Sequence, residues 1–105
     1  MIKLEIDSVH YDLDDALRSL IVDRIGGLDE FMSDLVEGRV AVSWEGGPHQ
    51  ETKVSAQVWG GGHHFEASDT HREPDEAIDQ TRHKLEAQIR KKHSKEVKHG
   101  DDRRE

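Results

Sequence analysis

Residues 54–68 read VSAQVWGGGHHFEAS, and the fold class turns on how this stretch is read. Val54, Ala56 and Val58 alternate with Ser55, Gln57 and Trp59; after Gly60-Gly61-Gly62 the alternation resumes, with Phe65 and Ala67 set among His64, Glu66 and Ser68. Period two is the mark of a strand that buries one face, and a short run of glycines between two such strands is a hairpin turn. Just upstream, Val40, Val42 and Trp44 alternate with Ala41 and Ser43 until the turn cluster Glu45-Gly46-Gly47-Pro48. Three short strands with tight connections make an antiparallel meander. Trp44 continues the Val40 and Val42 face and is expected in the core. Trp59 lies out of phase with Val54, Ala56 and Val58, so it is expected on the opposite face, exposed or half covered.

Toward the N-terminus, Ile2, Leu4 and Ile6 alternate with Lys3, Glu5 and Asp7, which predicts a further strand. Asp14 then suits the N-cap of a helix reaching about Gly26, with Leu17, Leu20, Ile21, Arg24 and Leu28 at helical spacing. Gly26-Gly27 weakens or caps its end, and Leu28, Phe31 and Met32 either extend it or fold back under it. Toward the C-terminus, Pro74 suits a first helical turn, and Asp75 and Glu76 favour the positive end of its dipole. Ala77, Ile78, Thr81, Leu85 and Ile89 form its apolar stripe, so a second helix is expected from Pro74 to the middle nineties. The order is β-α-β-β-β-α, an α+β fold with a four-stranded sheet and two helices packed on one face. A single domain is expected over residues 1–99, followed by a disordered tail over 100–105 with no apolar anchor.

Composition narrows the functional classes. The chain has 105 residues, 32% of them hydrophobic, and a formal net charge of −8. No stretch approaches the roughly 18 apolar residues of a membrane span, and no signal region opens the chain, so a cytoplasmic protein without a membrane partner is expected. The absence of cysteine excludes disulfides, thiolate nucleophiles and cysteine-based metal sites. Charge is unevenly spread: residues 1–70 carry −9, whereas Gln80 to Lys98 alone carry +5. With Leu85 at the centre of the buried stripe, Lys84, Lys91, Lys95 and Lys98 fall on one flank of the second helix, within an arc of about 60°. A basic row of this kind suits a phosphate backbone. Cations near a helix C-terminus also complement the macrodipole, but like charges at Lys91 and Lys95 repel unless an anion lies nearby.

Phe65-Glu66-Ala67-Ser68, then Ala77-Ile78-Asp79, Lys84-Leu85 and Gln88-Ile89, followed by alternating lysines, resemble the C-terminal half of the ribosome hibernation-promoting factor and ribosome-associated inhibitor family, once called sigma-54 modulation proteins. Val9, the Asp14 cap, Ala16-Leu17-Arg18 and Leu28 resemble its first strand and helix, so the likeness spans about residues 1–99 and a short form of the family. The resemblance implies a fold similar to a double-stranded-RNA-binding domain and a non-catalytic role. It implies binding to the small ribosomal subunit between head and body, over the mRNA and tRNA positions, in stress or stationary phase. Arg18, Arg24, Lys84, Lys91 and Lys95 match basic positions of the family; Lys92 and Lys98 are shifted from that pattern, and Arg82 and Arg90 are additional. These nine are the expected RNA-binding residues. The net charge of −8 departs from a family that is usually basic or near neutral, and it opposes approach to RNA at long range.

Other constellations read more simply. His63, His64 and His71 are the densest of eight histidines, but adjacent strand residues point to opposite faces, so they are expected to be solvated, with no metal. Ser8 with His10 lacks an oxyanion element, and His64 with Glu66 reads as an ion pair, so no enzyme is expected. Gly60-Gly61-Gly62 lacks a following helix and lysine, so it is no nucleotide loop. No cofactor and no small-molecule substrate are called for. The alternative is an acidic protein-interaction module that binds a basic protein partner, without ribosome binding; the identity of the captured partner separates the two.

Overall fold

The computed structural model describes residues 1–46 and 50–102, with side chains described through Lys92. Strand β1 (Lys3–Val9) is followed by helix α1 (Asp15–Gly26), strands β2 (Glu37–Gly46), β3 (Glu51–Gly60) and β4 (His63–His71), and helix α2 (Pro74–Asp102). The strands lie in the order β1-β2-β3-β4. β1 pairs with β2 in parallel, across the α1 crossover, and β2, β3 and β4 form the expected antiparallel meander. The fold is the β-α-β-β-β-α arrangement expected from the sequence, with a mixed sheet.

Local chemistry explains the element ends. The Asp14 carboxylate accepts a hydrogen bond from the Leu17 amide at 2.8 Å, capping α1 as its position suggested. After Gly26 the chain tightens into a 3₁₀ turn (Gly27–Glu30) packed against α1 and then folds back, burying Leu28, Met32 and Leu35 in the core. Of the two alternatives for this segment, folding back is the one adopted. Gly61 and Gly62 form the two-residue hairpin turn with φ of +56° and +83°. Gly60 precedes them at φ +155°, where the chain from Asp34 to Val36 crosses so closely that a Cβ would fall on the Asp34 carbonyl and 2.9 Å from the Val36 nitrogen. The Val36 amide in turn donates to the Trp59 carbonyl at 3.0 Å.

One sheet face is buried under both helices. Val40, Val42, Val54, Ala56, Val58 and Phe65 from the sheet meet Ile21 and Ile25 of α1 and Ala77, Ile78, Leu85 and Ile89 of α2. Thr81 shares that stripe without exposing its hydroxyl, which donates back to the Ala77 carbonyl at 2.8 Å. α2 continues beyond the middle nineties to Asp102, so residues 100–102 of the segment expected to be disordered carry helical backbone, while 103–105 lie outside the described residues. The lysine- and glutamate-containing run after Ile89 has good helix propensity, and one glycine at position 100 costs only about 1 kcal/mol against it.

Trp44 is a correction. It shares the helix-side face with Val42 by alternation, yet it is 41% exposed. Its partner in register, Thr52, is buried at 1%, and the pairing shifts between Trp44 and Gly46, so the exposure belongs to the large indole at the irregular end of β2 and not to the whole level of the sheet. Trp59 is half-buried on the open face, with its ring 6.2 Å from that of His64. Near the exposed end, Tyr11 packs against the core from the β1–α1 connection. Burial and the neighbouring Asp14 carboxylate push its phenol above the usual value of 10.0, with a side-chain hydrogen bond to Thr52 pulling the other way.

Two outcomes follow. Because the unfolded chain releases the Tyr11 proton first, stability is expected to fall as pH rises above about 10, and less so in Tyr11→Phe; urea unfolding at about pH 9 and about pH 11 measures the difference. Gly60→Ala is expected to cost about 3 kcal/mol in the same unfolding assay, because it combines an unfavourable φ with a backbone collision.

Candidate nucleic-acid interface

Helix α2 is oriented by its apolar stripe, and that orientation sends its two flanks to different surroundings. One flank overlies the outer edge of β4, which pairs only with β3. There the Lys84 ammonium donates to the Ser68 carbonyl at 2.8 Å and lies 3.3 Å from the Asp69 carboxylate. One turn on, the Gln88 amide donates to the Glu66 carbonyl at 2.8 Å. Two side chains of α2 thus occupy carbonyls that an edge strand otherwise offers to water or to another strand.

The other flank faces α1 and the 3₁₀ turn. Glu86 bridges Arg82 and Arg90 at 3.0 and 2.9 Å, in two i,i+4 pairs. Both guanidinium groups also lie over the Phe31 ring, at 5.9 Å for Arg82 and 4.7 Å for Arg90. Arg24 of α1 pairs with Asp79 of α2 at 3.1 Å and with Asp23 at 2.6 Å, joining the two helices.

The nine expected RNA-binding residues therefore divide. Arg24, Arg82, Lys84 and Arg90 each hold an ion pair within the protein. Arg18 is exposed on α1, and Lys91 and Lys92 are exposed on α2; none of the three pairs with a carboxylate among the described residues. Lys95 and Lys98 stand on the helical backbone beyond Ile89, and their side chains lie outside the described residues. Lys91 and Lys92 border a shallow pocket of about 280 Å³ that also touches Phe65 and Gln88. Periodicity alone placed Lys84 and Lys91 on one flank, but it did not reveal that Lys84 holds the β4 edge or that Phe31 underlies the two arginines. The i,i+4 spacing of Arg82, Glu86 and Arg90 was the only local signal for that second cluster.

Among the described residues, no three histidines or carboxylates gather closely enough to hold a metal ion. His64 meets Gln57 across the hairpin at 3.2 Å, where an ion pair with Glu66 was expected. In the register His64 lies opposite Trp59 and Glu66 opposite Gln57, so Gln57 is the diagonal neighbour of His64 across the strand pair, within reach of its ring. His49 lies outside the described residues. No helix among the described residues is long and apolar enough to cross a membrane.

The domain is thus an α+β sheet-and-helix fold whose last helix gathers its cations between Gln80 and Lys98 and its carboxylates mainly toward its two ends. Residues 4–97 match the family described as "Sigma 54 modulation protein / S30EA ribosomal protein", and the chain belongs to that family. This is the family that the sequence resembles. Among solved structures, the chain is similar to the N-terminal domain of Protein Y from Thermus thermophilus, with a TM-score of 0.73 and 21% identity, covering 86% of this chain and 96% of that one. It is likewise similar to a ribosomal subunit interface protein from Coxiella burnetii, with a TM-score of 0.74 and 19% identity, covering 89% and 99%. Both likenesses are in fold. Curated protein sequences yield no match.

The division of the cations predicts divergent stability effects. Lys84→Met is expected to cost about 1 kcal/mol through the lost bond to Ser68. Lys91→Met is expected to stay within about 0.5 kcal/mol of the parent. Parallel urea titrations of the two variants read the difference.

Proposed function

We propose that this protein is a ribosome hibernation factor that binds the small ribosomal subunit and occludes the mRNA and tRNA path in stress or stationary phase. The observation that carries the reading is the family match over residues 4–97. The fold supplies a physical means. Beyond Ile89, the last buried residue of α2 among those described, the helix runs on for about 20 Å at 1.5 Å per residue. Lys91, Lys95 and Lys98 recur along that arm at i, i+4 and i+7, so they share one side of it.

Inhibition here needs no bond to be made or broken. A domain seated in the channel excludes mRNA and tRNA by volume, and the lysines supply attraction to phosphates without reading bases. Selection of the site then rests on the shape of folded RNA. The ion-paired arginines are held against Phe31 and α1, so they present a fixed guanidinium surface beside the arm. The net charge of −8 slows approach to RNA, and binding depends on the local cations outweighing it. The site of action is the cytoplasm, where ribosomes work, and no cofactor takes part.

The test is co-sedimentation of the protein with small ribosomal subunits from its own source, across a salt series, with mRNA and initiator tRNA as competitors. Saturable binding near one copy per subunit, lost on adding the competitors, is the expected result. The double variant Lys91→Glu with Lys95→Glu is expected to abolish binding while leaving the fold intact. If binding by the parent is measured as log affinity against log salt, loss of these two phosphate contacts in milder alanine variants should reduce the slope by about 1.5. Unchanged binding by the double glutamate variant removes α2 from the interface. Absence of binding by the parent at native salt overturns the ribosome reading and turns attention to the acidic face and a protein partner.

A further inference from the structure

The region where α2 leaves the sheet carries a feature that phosphate attraction does not use. Ile89 is the last buried residue of the stripe, and β4 begins at His63, so a gap opens between the start of the edge strand and the departing helix. The gap is the pocket of about 280 Å³ bordered by Phe65, Gln88, Lys91 and Lys92, open on one side to solvent. Phe65 is 8% exposed at its floor. The His63 ring lies nearly parallel to that of Phe65, with 10° between their planes and centroids 6.2 Å apart. Gln88 is held in place because its amide nitrogen is committed to the Glu66 carbonyl, which leaves its side-chain oxygen as an acceptor beside the pocket. Lys91 and Lys92 are consecutive, about 100° apart around the helix, and both border the opening.

An aromatic floor, a fixed amide and two lysine side chains at the opening match a flat ring carried on an anionic chain. We propose that this groove receives one unpaired nucleobase of an RNA strand against Phe65 and His63, while Lys91 and Lys92 hold the phosphates on either side of that nucleotide. This deepens the RNA-binding reading and rests on it: the lysine arm attaches to phosphates of any sequence, and the groove adds a contact that only a base splayed out of a duplex reaches. Charge complementarity selects the occupant, since a neutral aromatic ligand leaves the two lysines at the opening without counter-charge. A fully paired helix keeps its bases stacked away from the groove. Binding of single-stranded RNA should therefore contain a component that depends on the base, separable from the component that depends on charge.

The experiment uses the full chain with two fluorescein-labelled probes, hexa-adenylate and an abasic ribose-phosphate hexamer of equal length and charge, read by anisotropy at low salt. The expected result is at least about fivefold tighter binding of hexa-adenylate. Phe65→Leu keeps an apolar side chain of similar reach and is expected to erase that preference while leaving affinity for the abasic probe unchanged. Lys91→Ala is expected to weaken both probes alike. If Phe65→Leu loses its cooperative melt, His63→Ala serves in its place and is expected to reduce the preference by about half or more on a logarithmic scale. Equal affinity of the parent for the two probes overturns the proposal, as does a preference unchanged in the variant that folds. Co-sedimentation with small subunits runs beside these titrations. A base preference without subunit binding upholds the groove and overturns the ribosome reading, and subunit binding without a base preference does the reverse.

Discussion

The contact between the stripe Ala77, Ile78, Leu85 and Ile89 and the sheet residues Val54, Ala56, Val58 and Phe65 governs the arrangement of everything else on this protein's surface. Each fully buried aliphatic side chain contributes about 1.5–3 kcal/mol, so the rotation of α2 about its axis is strongly specified. Turning the helix by one position would expose Leu85 or Ile89 and bury a lysine or a glutamate. Once that rotation is set, Lys84 and Gln88 must face the edge of β4, and Arg82, Glu86 and Arg90 must face Phe31.

The division of α2 into two flanks resolves an electrostatic difficulty. A chain of net charge −8 has to present positive charge somewhere if it is to approach RNA, yet cations within the body are drawn into pairs with abundant carboxylates. Arg24, Arg82, Lys84 and Arg90 show this, each meeting an aspartate or glutamate from a neighbouring element or turn. Such exposed pairs add little stability individually, about 0–1 kcal/mol, but they lower the local positive field. Past Ile89 the helix has no further buried residue among those described. Lys91 and Lys92 stand there exposed, without a carboxylate partner among the described residues. The groove over Phe65 opens there as well, so the place richest in cations also offers an aromatic surface.

Much of the architecture was readable along the chain because its signals are local. Strand alternation in residues 2–6, 40–44 and 54–68, the Asp14 cap, and the stripe from Ala77 to Ile89 each depend on residues a few positions apart. The family resemblance used the same local motifs. Trp44 escaped this reading since alternation reports which side of a sheet a residue occupies and is silent on the register shift at the end of β2 and on how much of a large indole its neighbours cover. The extent of α2 was underestimated for a related reason, because the apolar stripe ends at Ile89 while helix propensity and charge carry the backbone further.

Sequence by itself thus determined the order of elements, the buried face of each, and the excess of positive charge between Gln80 and Lys98. Only the tertiary structure decided which of those charges remain outward. Lys84 and Lys91 lie on the same flank by periodicity, yet one clasps a β4 carbonyl and the other borders an open groove. Phe31 and Arg90 are far apart in sequence and meet because the 3₁₀ turn after α1 brings the chain beside α2. Phe65 and Lys92 likewise meet only across the gap between strand and helix. Periodicity follows from backbone geometry within one element, whereas partners are set by packing between elements, and no local pattern encodes the distance between them.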